Sequence, residues 1–441
     1  MEGIALTNTL TLPWGSETID LSLPDSWRIA GNLSPALLAG VADPCLETEA
    51  ALQNPVGMAR LCELARPGIK IAVIIEDNNR PAPVAKLMPA VMAELARGGV
   101  SPQQITVVTG VGLHRPMDAA EVADRLGPGV PAGLRVENPN CDDPAALVRL
   151  GTTSRGSPVW VNKTVAGADL VISVGGIEPH LIASFGGGYK NLFPGVAGRA
   201  MVAHNHSLNC APSTFNNVGQ PIEHNPMRLD LEEAGAMLKP PVFIVNAVLN
   251  GAQEVVKVVA GHPIQAHRAG VKVSARIYGV QVPAQADIVI TDSHPMDSDL
   301  RQGVKALGNT VRAVKRGGVM ITLVRAREGV GVFGLANKKL PLGKGALRLA
   351  APLLLPLVPK LKLKGMGEED KFFLYFALQA MHYATLLMYA PTIPASVQAN
   401  LPFVDFVTSA QAAVERARQR YPASAEVLVF PQGGCTYPIL P

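Results

Sequence analysis

Residues 169–208 read DLVISVGGIEPHLIASFGGGYKNLFPGVAGRAMVAHNHSL. The pattern predicts a buried strand at Leu170–Val174 that runs into glycines and His180, then into a Gly186–Gly187–Gly188 turn carrying Lys190. Pro194 and Gly195 follow, and the stretch closes on His204 and His206. Glycines at this density let backbone approach a ligand closely, because no Cβ stands in the way. Lys190 lies ten positions after His180 and sixteen before His206. The residues read as a cofactor cradle with a reactive lysine and imidazoles on both sides. A Gly-rich loop with internally satisfied histidines is the plainer alternative.

Working outward, KIAVIIE (Lys70–Glu76) is a continuous apolar run of strand length, as expected for a strand buried on both faces of a parallel sheet. It ends in Asp77-Asn78-Asn79-Arg80-Pro81. Val84, Leu87, Met88, Val91, Met92 and Leu95 recur at helical spacing, and Gly98–Gly99 stops that helix. Ile105–Val108 predicts the next buried strand, ending in a loop with His114 and Arg115, and Asp118–Leu126 begins a helix. Each of these strands gives way to a polar loop. Arg80, His114 and His180–Lys190 therefore fall at carboxyl ends of strands, where open α/β sheets bind ligands.

Downstream, Val242–Leu249 and Glu254–Val258 read as strands joined by a short turn, and Pro263–Val273 as a helix. After Pro283 a new unit begins, with strand Asp287–Thr291, helix Asp299–Val314 and strand Gly318–Val324. Glu368–Tyr389 reads as one long buried helix, Ala410–Tyr421 as an amphipathic helix and Glu426–Phe430 as a last strand. The expected fold class is α/β, with two domains, each a mainly parallel sheet flanked by helices, and the active site in the interdomain cleft. The expected boundaries are 1–277 for a cofactor-binding catalytic domain, 278–408 for a second α/β domain, and 409–441 for a segment returning to the first.

The composition narrows the function classes. A chain of 441 residues exceeds what one hydrophobic core usually serves. The formal charge of +4 is dispersed, with no basic run interleaved with aromatics, so no nucleic-acid partner is expected. Five scattered cysteines without a Cys-x-x-Cys fit a reducing cytoplasm rather than a disulfide framework. The N-terminus shows no signal-peptide pattern. The most apolar stretch, Leu347–Leu363, is broken by Pro352, Pro356 and Pro359 and is too short to span a bilayer. It reads as a loop or lid packed on the protein, in preference to an interfacial patch, and no membrane partner is expected.

Taken in order, the loops resemble those of the nickel-dependent lactate racemase family, whose members carry a pincer cofactor. DNNRP resembles the family's Asp-x-Thr-Arg-Pro loop, and TGVGLHRPM its Gly-x-His-Arg-Pro-Met loop. PHLIASFGGGYKNLFPG followed by HNH resembles its Pro-His … Phe-Ser-Gly-Gly-x-Lys … Pro-Gly … Asn-His signature. DSDLRQGVKAL resembles the second-domain helix carrying Gln-x-x-Lys. The likeness covers most of the chain.

What the resemblance implies is a 2-hydroxyacid racemase that holds a nickel-pincer nucleotide, a pyridinium-3-thioamide-5-thiocarboxylic acid mononucleotide with Ni(II). The matching tether is Lys190, with Asp77, Gly187 and Gly188 at the cofactor, and the matching nickel ligand is His206 in preference to His204. A soft square-planar donor set suits nickel(II). His114 and His180 match the paired acid/base imidazoles, which flank a substrate that exchanges a hydride with the cofactor ring. Arg80, Gln302 and Lys305 match the positions that grip the substrate carboxylate. Asp77 is expected to orient Arg80 or to cap the turn. Proteins that make the cofactor and insert nickel are the implied partners.

The chain also departs from the family pattern. Asn79 stands for the loop threonine, Gly186 for a serine and Arg301 for a tyrosine, and the second-domain tryptophan is absent. Arg301 reads either as widening or recharging the pocket toward a larger or dicarboxylic hydroxy acid such as malate, or as a solvated helix arginine. The rival readings are a sugar-acid epimerase of the same chemistry, a nucleotide- or phosphate-binding protein without chemistry, and a metal-dependent hydrolase on His204 and His206. No His-x-x-x-His or His-Glu-x-x-His pattern supports the hydrolase.

Overall fold

The computed structural model describes residues 8–78, 80–131, 134–211, 218–331, 333–360 and 368–441, so Asn79 lies outside the described residues. The chain divides into two compact units: one is Ala36–Leu208 with Gln220–Ile277, the other Met1–Pro35 with Asn209–Gly219 and Tyr278–Pro441.

In the unit that begins at Ala36, Ile71–Glu76 is buried at every position and lies near the middle of a six-stranded sheet. The strand order is Val255–Gly261, Val242–Leu249, Leu170–Gly176, Ile71–Glu76, Ile105–Gly110 and Arg135–Glu137. All neighbours are parallel except the Val255–Gly261 edge, which pairs antiparallel with Val242–Leu249. The continuous apolar runs fall where burial on both faces demands them. Helix Val84–Arg97 buries Val84, Leu87, Met88, Val91, Met92 and Leu95, so the spacing seen in the sequence is the packed face. Side chains of that size contribute about 1.5–3 kcal/mol each when fully buried.

The other unit is built on a second six-stranded sheet, every neighbouring pair parallel: Asp405–Phe406, Thr385–Tyr389, Val314–Leu323, Ala286–Asp292, Ala425–Phe430 and Trp27–Asn32. Two expectations are set against this sheet. The 425–430 strand, expected to return to residues 1–277, pairs with Trp27–Asn32 of that span, which itself belongs to this unit. It is held between Ala286–Asp292 and Trp27–Asn32, with Ile288 opposite Val427 and Val427 opposite Ile29. A short apolar strand carries no local mark of which sheet it will join, because its pairing is decided by distant strands. Second, helix Glu368–Tyr383 stops, and Thr385–Tyr389 is a strand beside Val314–Leu323. The apolar run is continuous, so burial does not separate helix from strand there; pairing with Val314–Leu323 does.

The stretch expected to pack as a lid instead begins with helix Lys344–Leu354. Leu347 and Ala351 are buried on one side, while Leu349 and Leu353 stand in solvent.

Candidate active site

Three loops leave the carboxyl ends of neighbouring strands, Ile71–Glu76, Ile105–Gly110 and Leu170–Gly176. Glycines let them interlock. A Cβ on Gly195 would stand 1.9 Å from the Asn191 carbonyl oxygen, and one on Gly175 would stand 2.2 Å from Asn191 Nδ2. The Gly112 amide donates to the Gly195 carbonyl at 2.9 Å, which ties the His114 loop to the Lys190 loop.

His114 Nδ1 lies 2.6 Å from Asp77 Oδ2. A carboxylate there takes an Nδ1–H, so the neutral ring presents Nε2 as its proton acceptor. The Asp77 carbonyl accepts the Arg80 amide at 3.2 Å across the turn, and the Arg80 guanidinium faces Glu178, with Nη1 3.4 Å from Oε1. His180 is held the opposite way. It sits on a short hairpin strand opposite Ser184, and its Nδ1 accepts the amides of Ile182 and Ala183 at 3.2 and 3.1 Å. Its neutral ring therefore carries the proton on Nε2. Ser184 adopts φ +65°, a left-handed conformation unusual for serine, and Asn225 Nδ2 bonds both its hydroxyl and the Ile182 carbonyl.

The glycine turn is clamped by side chains from further along the chain. Arg228, buried on helix Pro226–Ala236, donates from Nη1 to the Gly187 carbonyl at 3.0 Å and from Nη2 to the Phe185 carbonyl. His267 Nε2 bonds the Gly186 carbonyl at 2.8 Å, and Asn246 Oδ1 accepts the Gly188 amide at 2.9 Å. Gly187 and Gly188 both have positive φ, +73° and +61°, as a chain reversal without Cβ atoms permits. Burial, then Arg228, hold the His267 imidazole well below its usual range, so it stays neutral and donates.

Lys190 follows this turn and is only 7% exposed. Its ammonium nitrogen has no hydrogen-bond or ion-pair partner among the described residues. Burial first, then the Arg80 charge, push its pKa well below the usual lysine range, against the opposing pull of Glu178 and Glu76. Glu76 is buried beside it and is pushed up to about 8, first by burial and then by Glu178. A lowered pKa leaves a larger share of such an amine unprotonated, the form that acts as a nucleophile. Asn191 Nδ2, next in the chain, is buried without a hydrogen-bond partner.

His206 lies on helix Arg199–Ser207, with Nδ1 2.8 Å from the Val202 carbonyl. That bond fixes the tautomer in which Nε2 carries the lone pair, the state a metal requires. His204 Nδ1 is instead tied to Ser157 Oγ, which itself donates to the buried Asp230. Among the described residues no three His, Cys, Asp or Glu side chains converge at metal-binding distance. A metal at His206 would therefore take its other donors from a bound group, and a partnerless amine and one imidazole fit such a group.

Arg301, Gln302 and Lys305 belong to the other unit, on helix Leu300–Thr310, whose first turn is capped by Asp299. The Arg301 guanidinium carbon stands 5.7 Å from the Phe373 ring centre, and Gln302 Oε1 is buried without a partner. Sequence reasoning missed Glu76, Glu178, Arg228, Asn246 and His267. Asn246 left a trace, as the one polar residue in the strand VFIVNAVL. Arg228 and His267 left none, since isolated basic residues on helices are commonplace.

The fold and site define an α/β enzyme whose loops after neighbouring strands carry a buried lysine amine and a His–Asp pair. A family model for the lactate racemase N-terminal domain matches residues 14–216. A lactate racemase from Lactiplantibacillus plantarum is 30% identical over 330 residues, 74% of this chain and 76% of that protein. One from Thermoanaerobacterium thermosaccharolyticum is 29% identical over 329 residues, again 74% and 76%. The lactate racemase apoprotein structure from Thermoanaerobacterium thermosaccharolyticum superposes with a TM-score of 0.83 at 24% identity, covering 98% of this chain and 100% of that one. A Thermotoga maritima protein superposes at 0.66 with 15% identity, covering 92% and 100%. The chain belongs to the lactate racemase family and is an isomerase.

Proposed function

We propose that this chain racemises a 2-hydroxy acid, lactate or a larger relative such as malate, with a nickel-pincer nucleotide carried on Lys190. The observation that carries the reading is the buried, partnerless Lys190 amine in a clamped glycine turn, on a loop bonded through Gly195 to the loop of the His114–Asp77 pair. When bound, the group supplies a ring that takes up and returns hydride, and nickel held in part by His206. His114, with its Nδ1–H directed at Asp77, accepts the substrate hydroxyl proton at Nε2. His180 presents an N–H at Nε2 toward the other face of the substrate. Arg80 grips the substrate carboxylate, with Glu178 setting the guanidinium's direction. The substrate-side roles read from the sequence for Arg301, Gln302 and Lys305 remain part of the proposal.

The test is intact mass and nickel analysis of protein co-produced with the cofactor-making proteins, followed by racemisation assays on lactate, malate and sugar acids. An adduct mapped to Lys190 and inversion of a 2-hydroxy acid are expected. An unmodified lysine with bound nucleotide and no turnover points to a binding protein instead. Arg301→Ala is expected to change the order of preference between lactate and malate.

A further inference from the structure

Between Glu328 and Glu368 the sequence contains no acidic residue and seven lysines or arginines. Helix Lys344–Leu354 lies inside this interval and packs one side against helix Glu368–Tyr383, burying Leu347 and Ala351. Its other side is apolar and uncovered. Leu349 is 84% exposed and Leu353, four residues on and so on the same face, is 74% exposed. Leu357, just past the helix end, is 48% exposed. Leaving aliphatic side chains of this size in water forgoes most of their burial energy, so a cluster of them calls for an occupant.

The cations around the helix are of two kinds. Lys338 and Lys344 are spent within the fold, against Asp370 and Asp405. Lys339, Arg348 and Lys360 have no ion-pair partner among the described residues, and Lys339 and Lys360 are exposed. Exposed leucines framed by uncommitted cations, with no anion in the interval, complement a surface that is apolar underneath and negative at its rim. The composition also separates two kinds of partner. Protein interfaces concentrate aromatic side chains and arginine and shed lysine. Here the interval's cations are lysines apart from Arg348, and the exposed face is aliphatic. Lysines that reach upward from an apolar face suit lipid headgroups.

We propose that the exposed face of helix Lys344–Leu354 and Leu357 is an interfacial anchor that seats this chain on an anionic phospholipid surface. The helix lies in the plane of the headgroups with its leucines in the acyl boundary and Lys339, Arg348 and Lys360 among the phosphates. No helix among the described residues is long and apolar enough to cross a membrane, so the contact is one of lying on the bilayer and not of spanning it. A single short apolar face and a few cations give reversible attachment.

The experiment is flotation of the full chain with vesicles of phosphatidylcholine alone and of equal parts phosphatidylcholine and phosphatidylglycerol. Binding is expected to the second and not the first, and to weaken as salt rises. The triple variant Leu349→Ser, Leu353→Ser, Leu357→Ser is expected to lower the bound fraction by about tenfold or more. These side chains are already in solvent, so circular dichroism should show an unchanged fold. The pair Lys339→Glu and Lys360→Glu should weaken binding without touching the apolar face. Absence of flotation, or flotation that the leucine variant leaves unchanged, overturns the proposal. So does light scattering that shows a dimer abolished by the leucine substitutions without vesicle binding, which assigns the face to a second copy of the chain.

Discussion

Both sheets end a buried strand in a buried carboxyl group: Glu76 after Ile71–Ile75 and Asp292 after Ala286–Thr291. Burial pushes each of them up to about 8. Their surroundings part company from there. Around Glu76 stand Arg80, Arg125 and Lys190, with Glu178 opposing. Asp292 accepts one amide, from His294 at 2.7 Å, its other oxygen has no partner among the described residues, and the nearby charge is the acidic Asp297. One acid is a member of a charged centre, whereas its counterpart caps a turn. The lesson is that the architecture supplies the position twice, and the loops of the neighbouring strands decide which copy acquires chemistry.

The largest expected effect breaks the comparison if it fails. Lys190→Ala should reduce racemisation to background and remove any mass adduct, while Asp292→Asn should leave turnover near that of the parent chain. Chiral chromatography of product and intact mass check both. Asp77→Asn keeps its shape but no longer fixes the His114 tautomer, and kcat should fall by about 10²-fold, part of what a positioned acid/base contributes. Arg228→Met removes the donors for the Gly187 and Phe185 carbonyls, and urea unfolding should show a loss of about 2–3 kcal/mol.

The smallest effect concerns pH. Glu76 keeps its proton in the folded chain to about pH 8, while an unfolded glutamate releases it near 4.5. The folded state therefore holds more protons in that window, and stability falls as pH rises through it. Glu76→Gln should flatten this slope in urea midpoints taken at several pH values. Asp292→Asn should do the same from 3.8 to about 8.

The strands that hold the site were legible because burial on both faces forces continuous apolar runs, as in KIAVIIE and DLVISV. The loops were legible because glycine, histidine and lysine in fixed order mark close backbone approach. What stayed hidden depends on residues far apart in the chain. The Arg80–Glu178 pair spans 98 positions and the Arg228 clamp 41, and no local pattern records either. The docking of Ala425–Phe430 against Ala286–Asp292 and Trp27–Asn32 was hidden for the same reason. The exposure of Leu349, Leu353 and Leu357 was not legible, because a hydrophobic stretch by itself says nothing about which of its sides meets the protein.

The clamp on the glycine turn has a consequence for how the reactive end comes into being. Arg228, Asn246 and His267 all lie beyond residue 216, where the likeness to the N-terminal family domain stops. A ribosome that has released only the first half of the chain has delivered the lysine and every glycine around it, but none of their three restraints. Such a fragment would display Lys190 in a hydrated segment, with a smaller unprotonated share than burial gives it in the folded unit. Its nucleophilicity is thus acquired late, when the rest of the unit closes behind it.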